Sequence, residues 1–230
     1  MDIYILQIDT ATEVCSLSLS LDGQVVDQID ATEPNLHASK LTVFIDELLQ
    51  RNNTSYKDLA AIAVSKGPGS YTGLRIGVSS AKGLCYALDI PLIAVNTLES
   101  MFRGYTKLPK GVCDLYVPML DARRMEVYMM IFDKQGQVLA TTEAVIIDKE
   151  TFYKYSEKQI CLFGSGADKL ADLLADKSNI KIDSTYVHSS AHLAISAFEK
   201  FENKEFEDLI YFEPYYLKEF IATTPKAVKL

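Results

Sequence analysis

The stretch 65–89 constrains the fold of this chain more than any other part of its sequence. The apolar run Leu59–Val64 leads into it and predicts a buried strand. Gly67-Pro68-Gly69 then predicts a tight turn, because glycine accepts positive φ and proline fixes its own. Ser70 or Thr72 is suited to cap the helix that the apolar spacing predicts over 70–88. The local order is therefore a strand, a glycine turn and a helix.

A stripe of small residues runs along this helix, one every fourth position: Gly69, Gly73, Gly77 and Ala81. An interior glycine costs a helix about 1 kcal/mol relative to alanine, so we expect something to lie close against the backbone. Thr72 stands where a dinucleotide fingerprint requires glycine, and the chain has no P-loop, which disfavours a phosphate. A partner helix is the favoured occupant, because small residues allow two backbones to approach. A ligand and ordinary core packing remain alternatives.

A second predicted helix, 36–51, carries apolar residues at helical spacing. We predict that the two helices form a partner interface through Leu41, Phe44, Ile45, Leu48, Gly73, Leu74, Gly77 and Ala81. In isolation this face is expected to pair with a second copy and give a homodimer. The same face would then serve a different partner, and the two uses would compete.

The two halves of the chain repeat one pattern. Each opens with a strand that ends in an aspartate, Asp9 or Asp121, and continues with a turn, hairpin strands and a later strand–helix unit. In 15–21, serines alternate with apolar residues, which predicts a half-buried strand. The repetition predicts a duplicated α/β fold with a domain at 1–104 and a smaller one at 105–230. This pattern resembles the actin-like (ASKHA, ribonuclease-H-like) architecture.

Composition limits the classes of function. The net charge of −8 opposes a strong direct grip on nucleic acid by this chain alone. No apolar run reaches the roughly 18 residues of a membrane helix, and no signal peptide is visible, so we expect a cytoplasmic protein without a membrane partner. The four cysteines lack C-x-x-C spacing and are expected to be reduced.

The histidines offer one candidate metal site. His188 and His192 are four residues apart, which is a metal-ligand spacing on a helix. Ser189 and Ser190 are both good helix caps, however, and would place His188 before the helix. We therefore expect no metal there. His37 is expected to act as a cap or to lie on the surface.

One long motif carries a family resemblance. Gly67-Pro-Gly-Ser-Tyr-Thr-Gly-Leu-Arg-Ile-Gly77 resembles the signature of the TsaB (YeaZ) family, whose members take part in making threonylcarbamoyl-adenosine in tRNA. Supporting matches are Ile8–Thr12, Ile93–Glu99, Asp121–Tyr128 and Pro214–Lys218. The resemblance implies the actin-like fold with a reduced second half. It also implies a TsaD-type paralogue that performs the transfer, a TsaE-type ATPase as a further partner, and tRNA reached indirectly through the complex.

The same resemblance argues against catalysis by this chain. In the TsaD-type paralogue the strand after the glycine helix runs into V-N-H-x-E-x-H, whose two histidines bind the catalytic metal. Here Thr97 and Met101 occupy those two positions, and neither replaces an imidazole on such a metal. We expect no catalytic residue, no metal and no tightly bound cofactor, with ATP bound only through the assembled complex. An ATP-dependent small-molecule kinase and a metallopeptidase-like relative remain alternatives.

Two further features stay open. Asp9, Thr10, Asp121 and Arg123 are vestigial nucleotide-facing candidates, since the corresponding turns of actin-like proteins face the phosphates. Each aspartate could hold a metal or water there, and capping of its own turn is the favoured alternative. The tail from Phe212 is aromatic and basic, with Tyr215, Tyr216, Phe220 and Lys226. It could stack on RNA, but we expect it to pack across its own domain.

Overall fold

The computed structural model describes residues 2–33 and 36–218, without the side chains of Leu36 and His37. The prediction for His37 concerns its side chain and therefore lies outside what the structure describes. The first half contains β1 Tyr4–Asp9, β2 Cys15–Leu21, β3 Gln24–Ala31, α1 Leu36–Arg51, β4 Leu59–Gly67, α2 Tyr71–Leu88, β5 Leu92–Asn96 and α3 Thr97–Tyr105. The second contains β6 Leu115–Asp121, β7 Glu126–Asp133, β8 Val138–Ile146, β9 Ile160–Phe163, β10 Ile180–Asp183 and α4 Ala194–Glu202.

Two five-stranded sheets share one strand order, β3-β2-β1-β4-β5 in the first half and β8-β7-β6-β9-β10 in the second. The first strand of each half pairs antiparallel with its hairpin partner and parallel with the later strand, β4 or β9. The predicted duplication is thus confirmed. The second half is reduced, because the segment after β9 forms only a short 3₁₀ helix, Asp168–Leu170, where the first half has α2.

The prediction that β2 is half-buried is wrong. Ser16, Ser18 and Ser20 are as fully buried as the apolar residues between them. Helix α1 contacts β2, and so do α4 and the 3₁₀ turn Ser190–Leu193 that precedes it. The buried hydroxyls are paired, since Ser18 donates to Gln7 Oε1 at 2.8 Å and Gln7 Nε2 donates to Ser20 Oγ at 2.6 Å.

Two helices pack on the sheet of the other half, so the expected division into 1–104 and 105–230 does not match the packing. Ala197 of α4 and the preceding Leu193 lie in one apolar cluster with Ile5, Ala63 and Val95 of the first sheet. Conversely, α3 packs its apolar side into the cluster that holds residues of β6, β7 and β9. Each half therefore contributes a helix to the core of the other.

None of the helices within the described ranges is both long enough and apolar enough to cross a bilayer.

Candidate functional site

Asp9 ends β1 in the interior of the molecule. Its Oδ1 accepts a hydrogen bond from Ala11 N at 2.9 Å, which confirms that it caps its own turn. Its Oδ2 lies 2.7 Å from His188 Nε2, and both side chains are buried. Burial by itself raises the pKa of the Asp9 carboxyl, but the charge interaction and hydrogen bond with His188 outweigh it and hold the pKa below its usual value. With both oxygens engaged inside the chain, Asp9 does not face a nucleotide.

The glycine stripe of α2 packs against the turn that follows Asp9. Thr10 Oγ1 donates to Gly73 O at 2.7 Å. A Cβ atom on Gly73 would lie 2.0 Å from Thr10 O, one on Gly77 would lie 2.2 Å from Thr10 Oγ1, and one on Gly69 would lie 2.4 Å from Ala11 O. The interpretation of the stripe as a contact for a partner helix is therefore wrong. Core packing within this chain requires the glycines, and Thr10 is buried in that contact rather than facing a nucleotide.

The remaining predicted interface residues belong to the core as well. Leu41, Ile45, Leu48, Leu74 and Ala81 are each at most 3% exposed, and they cannot reach a partner in this fold. Phe44 is half-buried and packs against the same core. The outer sides of α1 and α2 carry other apolar side chains, Val43 at 50% exposure and Tyr86 at 85%. Neither side chain was among the predicted interface residues, and the partner interface on α1 and α2 itself stays a prediction.

The predicted order of His188 and the last helix is confirmed. Ser189 caps the 3₁₀ turn, with its Oγ accepting from Ala191 N at 3.2 Å, and His188 lies before it. The Tyr186 hydroxyl lies 3.5 Å from His188 Nδ1 and 3.1 Å from His192 Nδ1. A Cβ on Gly104 of α3 would lie 2.2 Å from the His192 ring, so the ring packs directly on that helix.

This histidine pair forms a packed hydrogen-bonded chain with Asp9. Burial, with His188 nearby, lowers the pKa of His192 to about 4 and keeps its imidazole neutral. Among the described residues, no group of three or more His, Cys, Asp or Glu side chains has an arrangement that would hold a metal ion.

Asp121, at the matching position of the second half, lies in an exposed turn. Its Oδ1 accepts from Arg123 N at 2.9 Å, so Asp121 caps its own turn as expected, and it also pairs with Lys169. Arg123 and Arg124 both have positive φ, 72° and 51°, and both are exposed. The four vestigial candidates are therefore not equivalent, because the two after β1 are buried and the two after β6 reach solvent.

Thr97 and Met101 fill the start of α3 with core packing. Both are fully buried, and Asn96, rather than Thr97, caps the helix by accepting from Leu98 N at 2.9 Å. A Cβ on Gly164 would lie 2.4 Å from Met101 Cε, so the methionine packs directly on that glycine. The position predicted to have lost its metal ligands is occupied by the chain's own side chains.

The tail crosses both halves of the chain. Tyr215 N donates to Lys66 O at 2.7 Å, and the Tyr216 ring lies tilted against that of Tyr71, with the ring centres 4.7 Å apart. Lys218 then pairs with Glu126 of β7. Packing of the tail on its own chain is confirmed as far as residue 218, although it lies on α2 of the first half as well as on β7 of the second. Phe220 and Lys226 lie outside the described residues.

Sequence reasoning missed the pairing of Asp9 with His188, which joins positions 179 residues apart. It also missed the hydrogen-bonded line of Gln7 with the serines of β2. The available signal was two polar residues, Gln7 and Asp9, inside an apolar strand. Buried polar groups require partners, but the strand does not tell where along the chain those partners lie.

Comparison with known proteins relates this site to a family. The family model described as TsaD: tRNA N6-adenosine threonylcarbamoyltransferase matches residues 32–227. A relative from Escherichia coli, the tRNA threonylcarbamoyladenosine biosynthesis protein TsaB, is 36% identical over 145 residues, which is 62% of this chain and 62% of the relative. The Bacillus subtilis protein of the same name is 30% identical over 176 residues, 75% of each chain. The match to the Escherichia coli protein thus spans somewhat under two thirds of its length.

Among solved structures, a Pseudomonas aeruginosa protein described as similar to the peptidase YEAZ superimposes with a TM-score of 0.78. It is 24% identical, and the match covers 94% of this chain and 100% of that one. At that identity the likeness establishes the fold, and with the repeated strand order it defines a duplicated actin-like α/β protein with a reduced second half. The sequence matches agree with this fold, and they show that the chain belongs to the TsaB (YeaZ) family.

Proposed function

We propose that this chain is a non-catalytic subunit in the biosynthesis of threonylcarbamoyladenosine in tRNA. It would support a TsaD-type paralogue that transfers the threonylcarbamoyl group to the adenosine next to the anticodon, with a TsaE-type ATPase as a further partner. The curated relatives carry the name of this pathway, which supports the pathway assignment. Transfer itself is assigned to the paralogue, so tRNA reaches the assembly rather than this chain alone.

One observation carries the non-catalytic part of the proposal. The resemblance to the paralogue places its two metal-binding histidines at Thr97 and Met101, and both side chains are fully buried. Met101 packs with Leu98 and Phe163 in an apolar cluster, a thioether among hydrocarbon groups. A site for a hard or borderline metal needs imidazole or carboxylate ligands instead, so the packing supports a scaffold role.

The proposed contact with the paralogue uses the outer side of α2 and the segment next to it. Tyr86 is 85% exposed, and Ile210 and Tyr211 are 80% and 81% exposed. Lys82, one helical turn before Tyr86, donates to Ile210 O at 3.4 Å and to Phe212 O at 2.9 Å, and so holds this segment against the helix. Exposed apolar side chains that lie together mark interaction surfaces. In the absence of the paralogue, a second copy of the chain would occupy the same surface.

A pair of tyrosine variants tests this contact. Tyr86→Glu should weaken binding to the paralogue on the order of 10-fold or more, because a charge replaces an aromatic anchor in the contact. Tyr153→Glu is the matched control, since Tyr153 is 71% exposed on a 3₁₀ helix of the second half. Light scattering of each variant, alone and with the paralogue, measures both the homodimer and the complex.

The effect on function is measured as the threonylcarbamoyladenosine content of tRNA from cells that lack the native chain and express one of the variants. Tyr86→Glu should fail to restore threonylcarbamoyladenosine, whereas Tyr153→Glu should restore it. Equal loss with both variants, or none with either, would place the contact elsewhere. Modification of tRNA by the purified lone chain, supplied with a threonylcarbamoyl donor, would contradict the non-catalytic role.

A further inference from the structure

The arginines of this chain divide into two groups by their surroundings. Arg51 pairs with Asp27 and Glu47, and Arg103 pairs with Glu199. The other three of the five arginines in the sequence, Arg75, Arg123 and Arg124, form no ion pair with a carboxylate among the described residues. In a chain with a net charge of −8, arginines without a carboxylate partner are a marked local departure from the overall composition.

These three arginines are joined by a continuous line of contacts along the tail. Arg75 Nε donates to Tyr216 OH at 3.2 Å, and its guanidinium lies 4.2 Å from the centre of the Tyr71 ring. Two residues beyond Tyr216, Lys218 pairs with Glu126, which closes the turn that carries Arg123 and Arg124. The cationic side chains therefore line one surface that crosses from α2 to the β6–β7 turn.

Two carboxylates lie within this line, and cations already occupy both of them. Glu126 pairs with Lys218, while Asp121 pairs with Lys169. Lys169 Nζ also donates to Glu126 O at 2.6 Å, so both lysines contact the same residue. The charges of Arg75, Arg123 and Arg124 are therefore left for an external anion.

The turn holds two of these arginines in an unfavourable backbone conformation. Arg123 and Arg124 are the first two residues of the turn that Glu126 N closes by donating to Arg123 O at 3.2 Å, and both have positive φ. Asn and Gly tolerate that conformation, whereas a residue with a large side chain costs about 1 kcal/mol or more there. Arg123 and Arg124 occupy these positions nonetheless, and both are exposed. Turn stability therefore does not explain why arginine stands at these two positions.

We infer that this surface, defined by Arg75, Arg123, Arg124 and Lys218 with the rings of Tyr71 and Tyr216, binds the phosphate backbone of RNA directly. Guanidinium groups bind phosphate in a bidentate manner, and tyrosines beside them offer faces for base or ribose contact. The inference rests on the proposed function, which brings a tRNA to the complex, and adds a direct contact by this subunit. It goes beyond the expectation that the net charge of −8 opposes a strong direct grip on nucleic acid, because the surface is local.

A double variant separates RNA binding from fold stability. Arg123→Asn with Arg124→Gly removes both charges and supplies residues that tolerate positive φ, so the folded chain should gain stability while RNA binding falls. The matched control is Lys57→Gln with Lys158→Gln, two exposed lysines that take no part in the tail contacts given above. Both double variants lower the net charge by two, from −8 to −10.

The measurement is fluorescence anisotropy of an unmodified tRNA transcript titrated with the complex of this chain and the TsaD-type paralogue, at several salt concentrations. The turn variant should weaken binding about 10-fold at about 0.15 M salt and reduce the slope of log K against log salt by about 2. The control should change the affinity by no more than about 2-fold and should leave the slope unchanged. Unchanged affinity and slope for the turn variant would overturn the inference.

Light scattering of the same samples distinguishes the inference from the proposed function. If the turn variant disrupts the complex and the tRNA affinity per assembled complex is unchanged, the surface binds an acidic protein face and the inference is wrong. If the wild-type chain forms no complex, the proposed function fails. The same titration on the lone chain at low ionic strength then decides the inference, since electrostatic binding is strongest there.

Discussion

Substituting alanine at two glycines of the same helix tests the packing that this structure assigns to α2. Gly73 faces the turn after β1, where a Cβ atom would lie 2.0 Å from Thr10 O. Gly83 lies ten residues later, and nothing lies within 4 Å of the position of its Cβ. Gly73→Ala and Gly83→Ala therefore make the same chemical change in the same helix. The new methyl group meets Thr10 in the first variant and open space in the second.

The magnitudes follow from the two environments. Gly83→Ala should stabilise the chain by about 0.5–1 kcal/mol through helix propensity alone. Gly73→Ala gains the same term, but an ordinary contact begins near 3.4 Å, so Thr10 must move by 1.4 Å. That shift breaks the hydrogen bond from Thr10 Oγ1 to Gly73 O, worth about 1 kcal/mol, and adds an overpacking cost of about 1–3 kcal/mol. The two variants should differ by about 2–4 kcal/mol.

Thermal unfolding followed by circular dichroism measures this difference. For a chain of this length, 2–4 kcal/mol corresponds to about 5–15 °C in Tm, with Gly73→Ala below the wild type and Gly83→Ala above it. Equal stability of the two variants would show that Thr10 does not lie against Gly73. If Gly73→Ala also lost the paralogue while keeping its Tm, the glycine stripe would be a partner contact after all, and the packing argued here would be refuted.

Two further predictions concern protons and nucleotide. Because the pKa of His192 is lowered to about 4, the unfolded chain takes up a proton before the folded chain does. The free energy of unfolding should therefore fall by up to about 3 kcal/mol between pH 6.5 and pH 4, and His192→Gln should flatten that part of a urea-denaturation profile. Calorimetry of the lone chain should detect at most weak binding of ATP, because Asp9 is engaged by His188 and Gly164 packs on Met101. Micromolar binding that Asp121→Ala abolishes would instead favour the kinase alternative.

The local elements could be predicted from sequence because their signals are local. The glycine turn, the Ser70 cap and the apolar spacing together gave the bounds of α2, and Ser70 Oγ accepts from Gly73 N at 3.2 Å as that reasoning requires. The duplication was also visible, because the same sequence of strand, aspartate, turn and hairpin occurs twice. Both inferences use contacts between residues that are close along the chain.

Long-range placement could not be predicted in the same way. An apolar stripe on α4 indicates that the helix packs on something, but it does not indicate which of two sheets it covers. The alternating serines of β2 have the pattern of a solvent-facing strand, and they are buried only because residues 190–202 return to cover them. The pairing of Asp9 with His188 depends on the same return of the chain.

The two halves differ most at the turn that each repeats. After β1, the glycines of α2 bring a helix backbone onto Thr10 and Ala11, and the turn is locked into the core. The turn after β6 has no such helix against it. The corresponding segment after β9 forms only the 3₁₀ helix Asp168–Leu170, and Arg123 and its neighbours are exposed. The helix is kept in one half of this duplicated fold and shortened in the other. One copy of the turn is therefore part of the packed core. The other copy becomes available for binding, and the RNA contact is inferred on that copy.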